Sequence, residues 1–265
     1  MKNINRNLQP TRHVLVIGGT GKTGRRVVER LKTRGQPVKI GSRAAKPPFD
    51  WENPETWAGA LDGMDTVYIT FQPDLAVPGA RQAIEAFTSQ AVKNGIQKMV
   101  LLSGKGEKEA ELCEQVVRNA GADWTIVRAS WFNQNFSEGF FLEPILAGHV
   151  ALPREDALVP FVDADDIADV VVEALLDDRH NGQTYELTGP RQLTFKQVTQ
   201  EIAQATGQDI QFHSITMDEY TKMLAEYQVP EDYIWLIEYL FTEVLIDSNS
   251  IVTNDVEKVL GRKAK

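Results

Sequence analysis

His13-Val14-Leu15-Val16-Ile17-Gly18-Gly19-Thr20-Gly21-Lys22-Thr23-Gly24 is the stretch on which the fold turns. A short apolar run leads straight into glycines spaced G-x-x-G-x-x-G, and Arg25-Arg26-Val27-Val28-Glu29-Arg30-Leu31 follows with helical periodicity. Strand, glycine turn and helix in that order place free backbone N–H groups, and the positive end of a helix dipole, where a pyrophosphate can sit. Gly18 permits the tight turn, Gly21 lets the backbone approach the phosphates, and Gly24 lets the helix pack close to the sheet. Thr20, Lys22 and Thr23 are the polar candidates on the same turn. Gly21-Lys22-Thr23 also looks like the end of a nucleoside-triphosphate P-loop. That motif needs a glycine five positions before Gly21, where Val16 stands, and no convincing apolar strand ends in a magnesium-binding aspartate. The dinucleotide reading wins.

Working outward, short apolar runs recur at Val14–Ile17, Val38–Gly41, Thr66–Phe71, Lys98–Ser103, Trp124–Arg128 and Tyr185–Thr188. Nearly continuous apolar runs of this length suit parallel strands covered on both faces. Helical stretches lie between them, at Thr23–Arg34, Glu55–Leu61, Pro78–Asn94 and Glu107–Asn119, and Gly35, Gly95 and Gly121 close three of these. The alternation predicts an α/β fold, a Rossmann-type doubly wound parallel sheet with ligand at the carboxyl ends of its strands. Further helices are expected at Ser137–Ala147, Asp163–Asp177, Thr194–Thr206 (Thr194 as N-cap), Met217–Tyr227, Asp232–Glu243 and Asn254–Leu260, with a strand at Ile210–His213. The expected division is a dinucleotide-binding domain over residues 12–190 and a small, mostly helical C-terminal lobe over 191–265, packed together as one continuous unit.

The 265 residues are enough to bury a sizeable core. A net charge of −9 argues against general nucleic-acid binding, which favours a basic surface. The single cysteine, Cys113, excludes an internal disulfide framework and any cysteine metal cluster, and fits a reducing compartment. Cys113 shares an apolar face with Val116, Val117 and Ala120, the pattern of a buried, inert thiol. No apolar run reaches the length of about 18 residues that a membrane span needs. Met1–Thr11 is polar, without the apolar region of a secretory signal, and reads as a loose tail. The expected place of work is the cytoplasm.

Basic residues crowd the first turn after the glycines (Lys22, Arg25, Arg26), where acidic ones normally suit the dipole, so an anion is expected nearby. The second strand ends Lys39-Ile40-Gly41-Ser42-Arg43, where NAD enzymes commonly carry an acidic residue for the ribose hydroxyls. Ser42 and Arg43 are suited instead to a ribose 2′-phosphate, which predicts NADP(H) over NAD(H); the plainer reading makes Arg43 a solvated loop residue. Asp50 either accepts from the adenine amino group or caps the following helix. Phe71 and Gln72 after the third strand, and Ser103 and Lys105 after the fourth, stand where ribose and nicotinamide belong, against readings as turn and loop residues. Trp131, Phe132, Asn135 and Phe136 follow the fifth strand and offer aromatic walls with an orienting amide, or else core staples under the lobe. Asp163, Asp165, Asp166 and Asp169 open a helix and read as caps and dipole partners rather than metal ligands. His13, His149, His180 and His213 lack ligand or triad spacing. No metal is expected.

The run Gly18–Gly24, the segment Asp123-Trp124-Thr125-Ile126-Val127-Arg128-Ala129-Ser130-Trp131-Phe132-Asn133-Gln134-Asn135-Phe136 and the segment Pro160-Phe161-Val162-Asp163-Ala164-Asp165-Asp166-Ile167-Ala168 resemble the NmrA-like branch of the atypical short-chain dehydrogenases/reductases. Within it the chain looks nearest to proteins related to the agroclavine and festuclavine dehydrogenases, from His13 onwards. The resemblance implies an NAD(P)-binding Rossmann fold and either a reductase of quinones, imines or enol-ether-type substrates or a cofactor-sensing regulator. Ordinary members of the wider superfamily use a Tyr-x-x-x-Lys pair to protonate a carbonyl. No tyrosine stands between Ser103 and Gly121, and Lys105 and Lys108 have no such partner. Lys105 and Asn135 are the remaining catalytic candidates. The leading expectation is an NADP(H)-dependent reductase of a small unsaturated substrate. The alternative is a catalytically silent NADP(H) sensor acting on a protein partner.

Overall fold

The computed structural model describes residues 11–265, so the segment read as an N-terminal tail lies outside the described residues but for Thr11. Six strands form one parallel sheet: β1 (Val14–Ile17), β2 (Val38–Gly41), β3 (Thr66–Ile69), β4 (Lys98–Gly104), β5 (Asp123–Ala129) and β7 (Gln183–Leu187), in the order β2-β1-β3-β4-β5-β7. The order reverses beside β1. A crevice therefore opens at the carboxyl ends of β1 and β3, the place where such sheets take ligands. Every residue of β1 and β3 is buried, as their unbroken apolar runs require.

Two helical layers cover the sheet. On one face α1 (Lys22–Thr33) lies against α7 (Ala164–Leu176), with α11 (Asp255–Leu260) beside it; Val27, Leu31, Val170, Val171 and Val256 fill that layer. On the other, α2 (Trp57–Leu61), α3 (Ala80–Lys93) and α4 (Lys108–Arg118) bury Trp57, Ile84, Phe87 and Cys113. This is the doubly wound Rossmann arrangement that the alternating pattern predicts.

The lobe contains α5 (Asn135–Glu138), α6 (Leu142–Leu146), β6 (His149–Leu152), α8 (Phe195–Thr206), β8 (Gln211–Ser214), α9 (Met217–Glu226) and α10 (Glu231–Tyr239), with a π-turn at Leu240–Val244. Its own core gathers Phe136, Phe141, Phe161, Phe195 and Phe241. Thr194 caps α8 and shares a capping box with Gln197. β6 has no counterpart among the expected strands; it pairs in parallel with β8, from His149 opposite Gln211 to Leu152 opposite Ser214. That pairing ties residues before 190 to residues after it. α11 returns in the opposite direction, from the last part of the chain onto α7 and β7.

Three helix boundaries differ from expectation. The helix expected over Ser137–Ala147 is two short ones, because Gly139 is extended (φ −152°, ψ −157°) and a side chain there would press on the Lys22 ammonium at 2.9 Å. The helix expected from Glu55 begins at Trp57, after a tight 3-10 turn over Pro54–Thr56. α10 loosens after Tyr239 into the π-turn instead of running on to Glu243.

Candidate cofactor and substrate site

The glycine loop is anchored from below. Gly18 N–H donates to the Gly41 carbonyl at 2.9 Å, which fixes the end of β1 against the end of β2, and Gly21 N–H donates back to the Gly18 carbonyl at 2.8 Å. Gly18 has φ +66°, and a side chain there would strike the Thr70 hydroxyl. Gly24 is held to glycine by the loop itself, since its Cβ would overlap the Gly18 carbonyl. Gly21, the N-cap of α1, differs from both. Its backbone is extended (φ −82°, ψ −176°), and an added Cβ would meet only the Gly18 oxygen, at 3.2 Å. Packing asks little of position 21.

The polar candidates on the loop separate. Thr20 is exposed. Thr23 is buried and its hydroxyl accepts from Tyr68 Oη at 3.0 Å, so it braces helix to sheet while also lining the cavity described below. Lys22 Nζ donates to Asn135 Oδ1 at 2.7 Å and stands 6.0 Å from the centre of the Phe132 ring. Burial lowers its pKa, partly countered by Glu138. The anion expected beside the basic cluster is part of the protein. Arg25 and Arg26 pair with Glu138 at 2.6 and 2.7 Å, and Arg26 reaches Asp165 at 3.2 Å. Arg30 continues the seam to Asp165 and Asp169. The hydrogen bond from Arg26, joined by Arg25, holds the Glu138 carboxyl down to about 2.

Asp163 is the N-cap of α7, accepting from Asp165 N–H at 2.7 Å, while Asp166 and Asp169 bind Arg262. Cys113 is fully buried, and burial pushes its thiol up to about 11.

At the end of β2, Ser42 turns its carbonyl inward to Phe49 N–H at 2.9 Å. Arg43 is exposed, two positions beyond the Gly41 that receives Gly18 N–H, and has no side-chain partner among the described residues; neither it nor Ser42 lines the cavity described below. Asp50 accepts from Glu52 N–H at 3.1 Å and closes a turn, while Asn53 caps the helical turn that follows. It does not face the cavity.

The crevice opens into a cavity of about 390 Å³. Its floor comes from the strand ends: Gly18 and Gly21 after β1, Phe71 and Gln72 after β3, Ser103 and Lys105 at β4. Ser103 and Lys105 line it, yet their polar atoms are engaged elsewhere. Ser103 Oγ donates to Glu114 at 2.8 Å, and Lys105 Nζ donates to the Asn249 carbonyl at 3.0 Å with Glu186 at 3.8 Å. Trp131, Phe132 and Asn135 form the side wall. Trp131 is wall and staple at once, edge-on to Phe195 and Phe241 at 5.3 Å each. Phe136 is a staple only: it is buried against Phe141 and Phe161 and leaves the cavity wall to its neighbours.

The roof was not visible beforehand. Tyr220 from α9, Tyr233 and Leu236 from α10, and Phe241 and Val244 from the π-turn close the chamber from above. The available signal was the run Tyr233–Phe241, which has more apolar residues than a single helix face needs. Asp74 and Glu107, also missed, complete the wall.

The NAD(P)H-binding family profile matches residues 18–178, and the NmrA-like profile matches residues 106–264. The chain belongs to the NmrA-like family of NAD(P)H-binding proteins. Among its relatives, Prestalk A differentiation protein A of Dictyostelium discoideum is 29% identical over 94% of this chain and 87% of that one. A festuclavine dehydrogenase of Aspergillus fumigatus is 27% identical over 94% of this chain and 92% of the other. The structure of a Citrobacter sp. triphenylmethane reductase complexed with NADP(H) superposes on this NmrA-like chain with a TM-score of 0.74. It covers 95% of this chain and 96% of that one at 16% identity, a likeness of fold.

Proposed function

We propose that this NmrA-like protein is an NADP(H)-dependent reductase that passes hydride to a small, flat, unsaturated substrate of the quinone, iminium or enone type. The observation that carries this reading is the continuity of one cavity, from the glycine loop to an aromatic chamber under α9 and α10. A nicotinamide cofactor would supply the hydride. The chain's part is to bind, orient and exclude water. Gly21, which neither backbone nor packing strictly requires, leaves the loop open to a pyrophosphate. Arg43, exposed, without a side-chain partner among the described residues and two positions beyond the Gly41 that receives Gly18 N–H, favours a ribose 2′-phosphate over a bare ribose. Phe132 and Trp131 offer flat apolar faces at the nicotinamide end, and Asn135, held by Lys22, offers an amide NH2 to orient a ligand oxygen.

Relatives named as dehydrogenases and as an NAD(P)H azoreductase support the reading. A second reading, a catalytically silent NADP(H) sensor that acts on a protein partner, is favoured by the lack of a tyrosine between Ser103 and Gly121. It is also favoured by a relative named for differentiation. NADPH oxidation measured against quinones, iminium cations and enones separates the two. Turnover of any class supports the reductase; tight NADPH binding with no turnover across all three supports the sensor.

A further inference from the structure

Asp74, in the loop after β3, and Glu107, immediately before α4, bring two carboxyl groups together on the cavity wall. Glu107 is only 7% exposed, and its Oε2 is buried without a hydrogen-bond partner among the described residues. The fold reserves this place for it: a side chain on Gly104 would overlap the Glu107 carboxyl. Asp74 is oriented by Ala76 N–H, which its Oδ1 accepts at 2.8 Å. Two carboxylates in such contact cannot both ionise, so they hold a proton between them. Burial and the charge of Asp74 push the Glu107 carboxyl well above its ordinary range, and burial raises Asp74 as well.

We infer that Glu107 is the proton donor of this site, a catalytic residue that stands in the segment where a tyrosine is missing, with Asp74 as its positioning residue. The inference rests on the reductase reading above. For a quinone or enone, hydride addition leaves an oxyanion. The carboxyl O–H bond of Glu107 breaks, a new O–H bond forms on the reduced substrate, and Glu107 is left as carboxylate. Solvent returns the proton. For an iminium or triarylmethyl cation, hydride forms a neutral C–H product and no proton is needed. The two substrate classes therefore place different demands on Glu107.

The other ionisable groups around the pair define its setting. Glu109 and Glu114 on α4 face it, Glu114 held by Arg118 and Arg128, and Tyr239 of α10 donates to Glu109. Cys113 on α4 feels both carboxyls of the pair together with Arg81 on α3, and Lys105 is engaged by Asn249. The nearest carboxylates thus add to the upward push on Glu107, while Arg118, Arg128 and Lys105 are engaged with other groups.

Glu107→Gln keeps the shape and the neutral, donating character of the protonated acid and removes only the transferable proton. Three measurements test the assignment. First, infrared difference spectra at neutral pH, without cofactor, should show a protonated carboxyl C=O band in the wild type that Glu107→Gln removes; an unchanged spectrum overturns the assignment. Second, the ratio of kcat for a benzoquinone to kcat for a triarylmethyl dye cation should fall about 100-fold in Glu107→Gln. Equal losses for both overturn it. Third, the wild-type quinone rate should fall as pH rises through the Glu107 titration. In Asp74→Asn, which removes the neighbouring charge, that fall should move to lower pH; an unmoved limb overturns the role of Asp74. A wild type that binds NADPH and reduces neither probe refutes the reductase reading instead, and the infrared result still decides where the proton rests.

Discussion

Gly21 and Gly24 look alike in sequence and answer to different constraints. A Val side chain at Gly24 would be driven into the Gly18 carbonyl, whereas at Gly21 the chain asks its neighbour for only a few tenths of an ångström. Gly24→Val should therefore lower the melting temperature sharply. Gly21→Val should stay folded by circular dichroism and lose NADPH binding in a titration; a Gly21→Val protein with normal affinity would move the phosphate site elsewhere. Arg43 carries a second prediction. A charge-assisted hydrogen bond is worth roughly 1.5–3 kcal/mol, so Arg43→Ala should weaken NADPH about ten-fold or more and leave NADH nearly unchanged. Equal constants for the two cofactors in the unmutated protein would refute the preference. The turn glycines Gly18 and Gly24 were legible because their reason is local, the close packing of the turn itself. Arg25 and Arg26 were not, because the carboxylate they bind, Glu138, lies more than a hundred positions further on. Phe136 was misplaced for another reason: an aromatic ring suits a core and a pocket equally, and only packing decides.

Between elements, the arginines of α1 form a row against α5 and α7, and Glu138 is the end of that row nearest the cavity. Its carboxyl sits at about 2 when folded, below its usual 4.5. A depressed carboxyl stabilises the fold above its unfolded pKa, and that stabilisation is lost as pH falls through the folded one. The window runs from about pH 4.5 down to 2, and after solvent screening the contribution is on the order of 1 kcal/mol. Glu138→Gln should lower the melting temperature at pH 6 and flatten its fall across that window. A variant that keeps the wild-type slope would show the pair to be ornamental. The roof makes a separate prediction. Leu236→Asp places a charge on the chamber's apolar ceiling; KM for a flat substrate should rise about ten-fold or more while NADPH affinity holds within a few-fold. An unchanged KM would place the substrate outside this chamber. Strands and most helices of the sheet were readable because their periodicity records burial. The roof was not, since which face of α10 meets the cavity depends on how the lobe docks.

For the molecule as a whole, floor and ceiling of the cavity come from two different parts of the chain. Strand ends of the parallel sheet supply the floor, and one stretch from Tyr220 to Val244 supplies the ceiling. Ligand that bridges both should stabilise both. NADPH at about 100 times its dissociation constant should add roughly 2.7 kcal/mol to unfolding, and a flat substrate analogue should add more only when NADPH is present. Additive shifts without that order would separate the two halves of the site.

The β6–β8 pair has a consequence in time. Parallel strands cannot be closed by a hairpin, and here the intervening chain must first lay down α7, deliver β7 to the edge of the large sheet and wind α8. Contacts that wait for so long a loop form late. During refolding, pulse-labelled amides of Val14–Ile17 should gain protection before those of Phe212 and His213. The nascent protein thus acquires its nucleotide shelf before it has a chamber, and simultaneous protection at the two sites would refute this order.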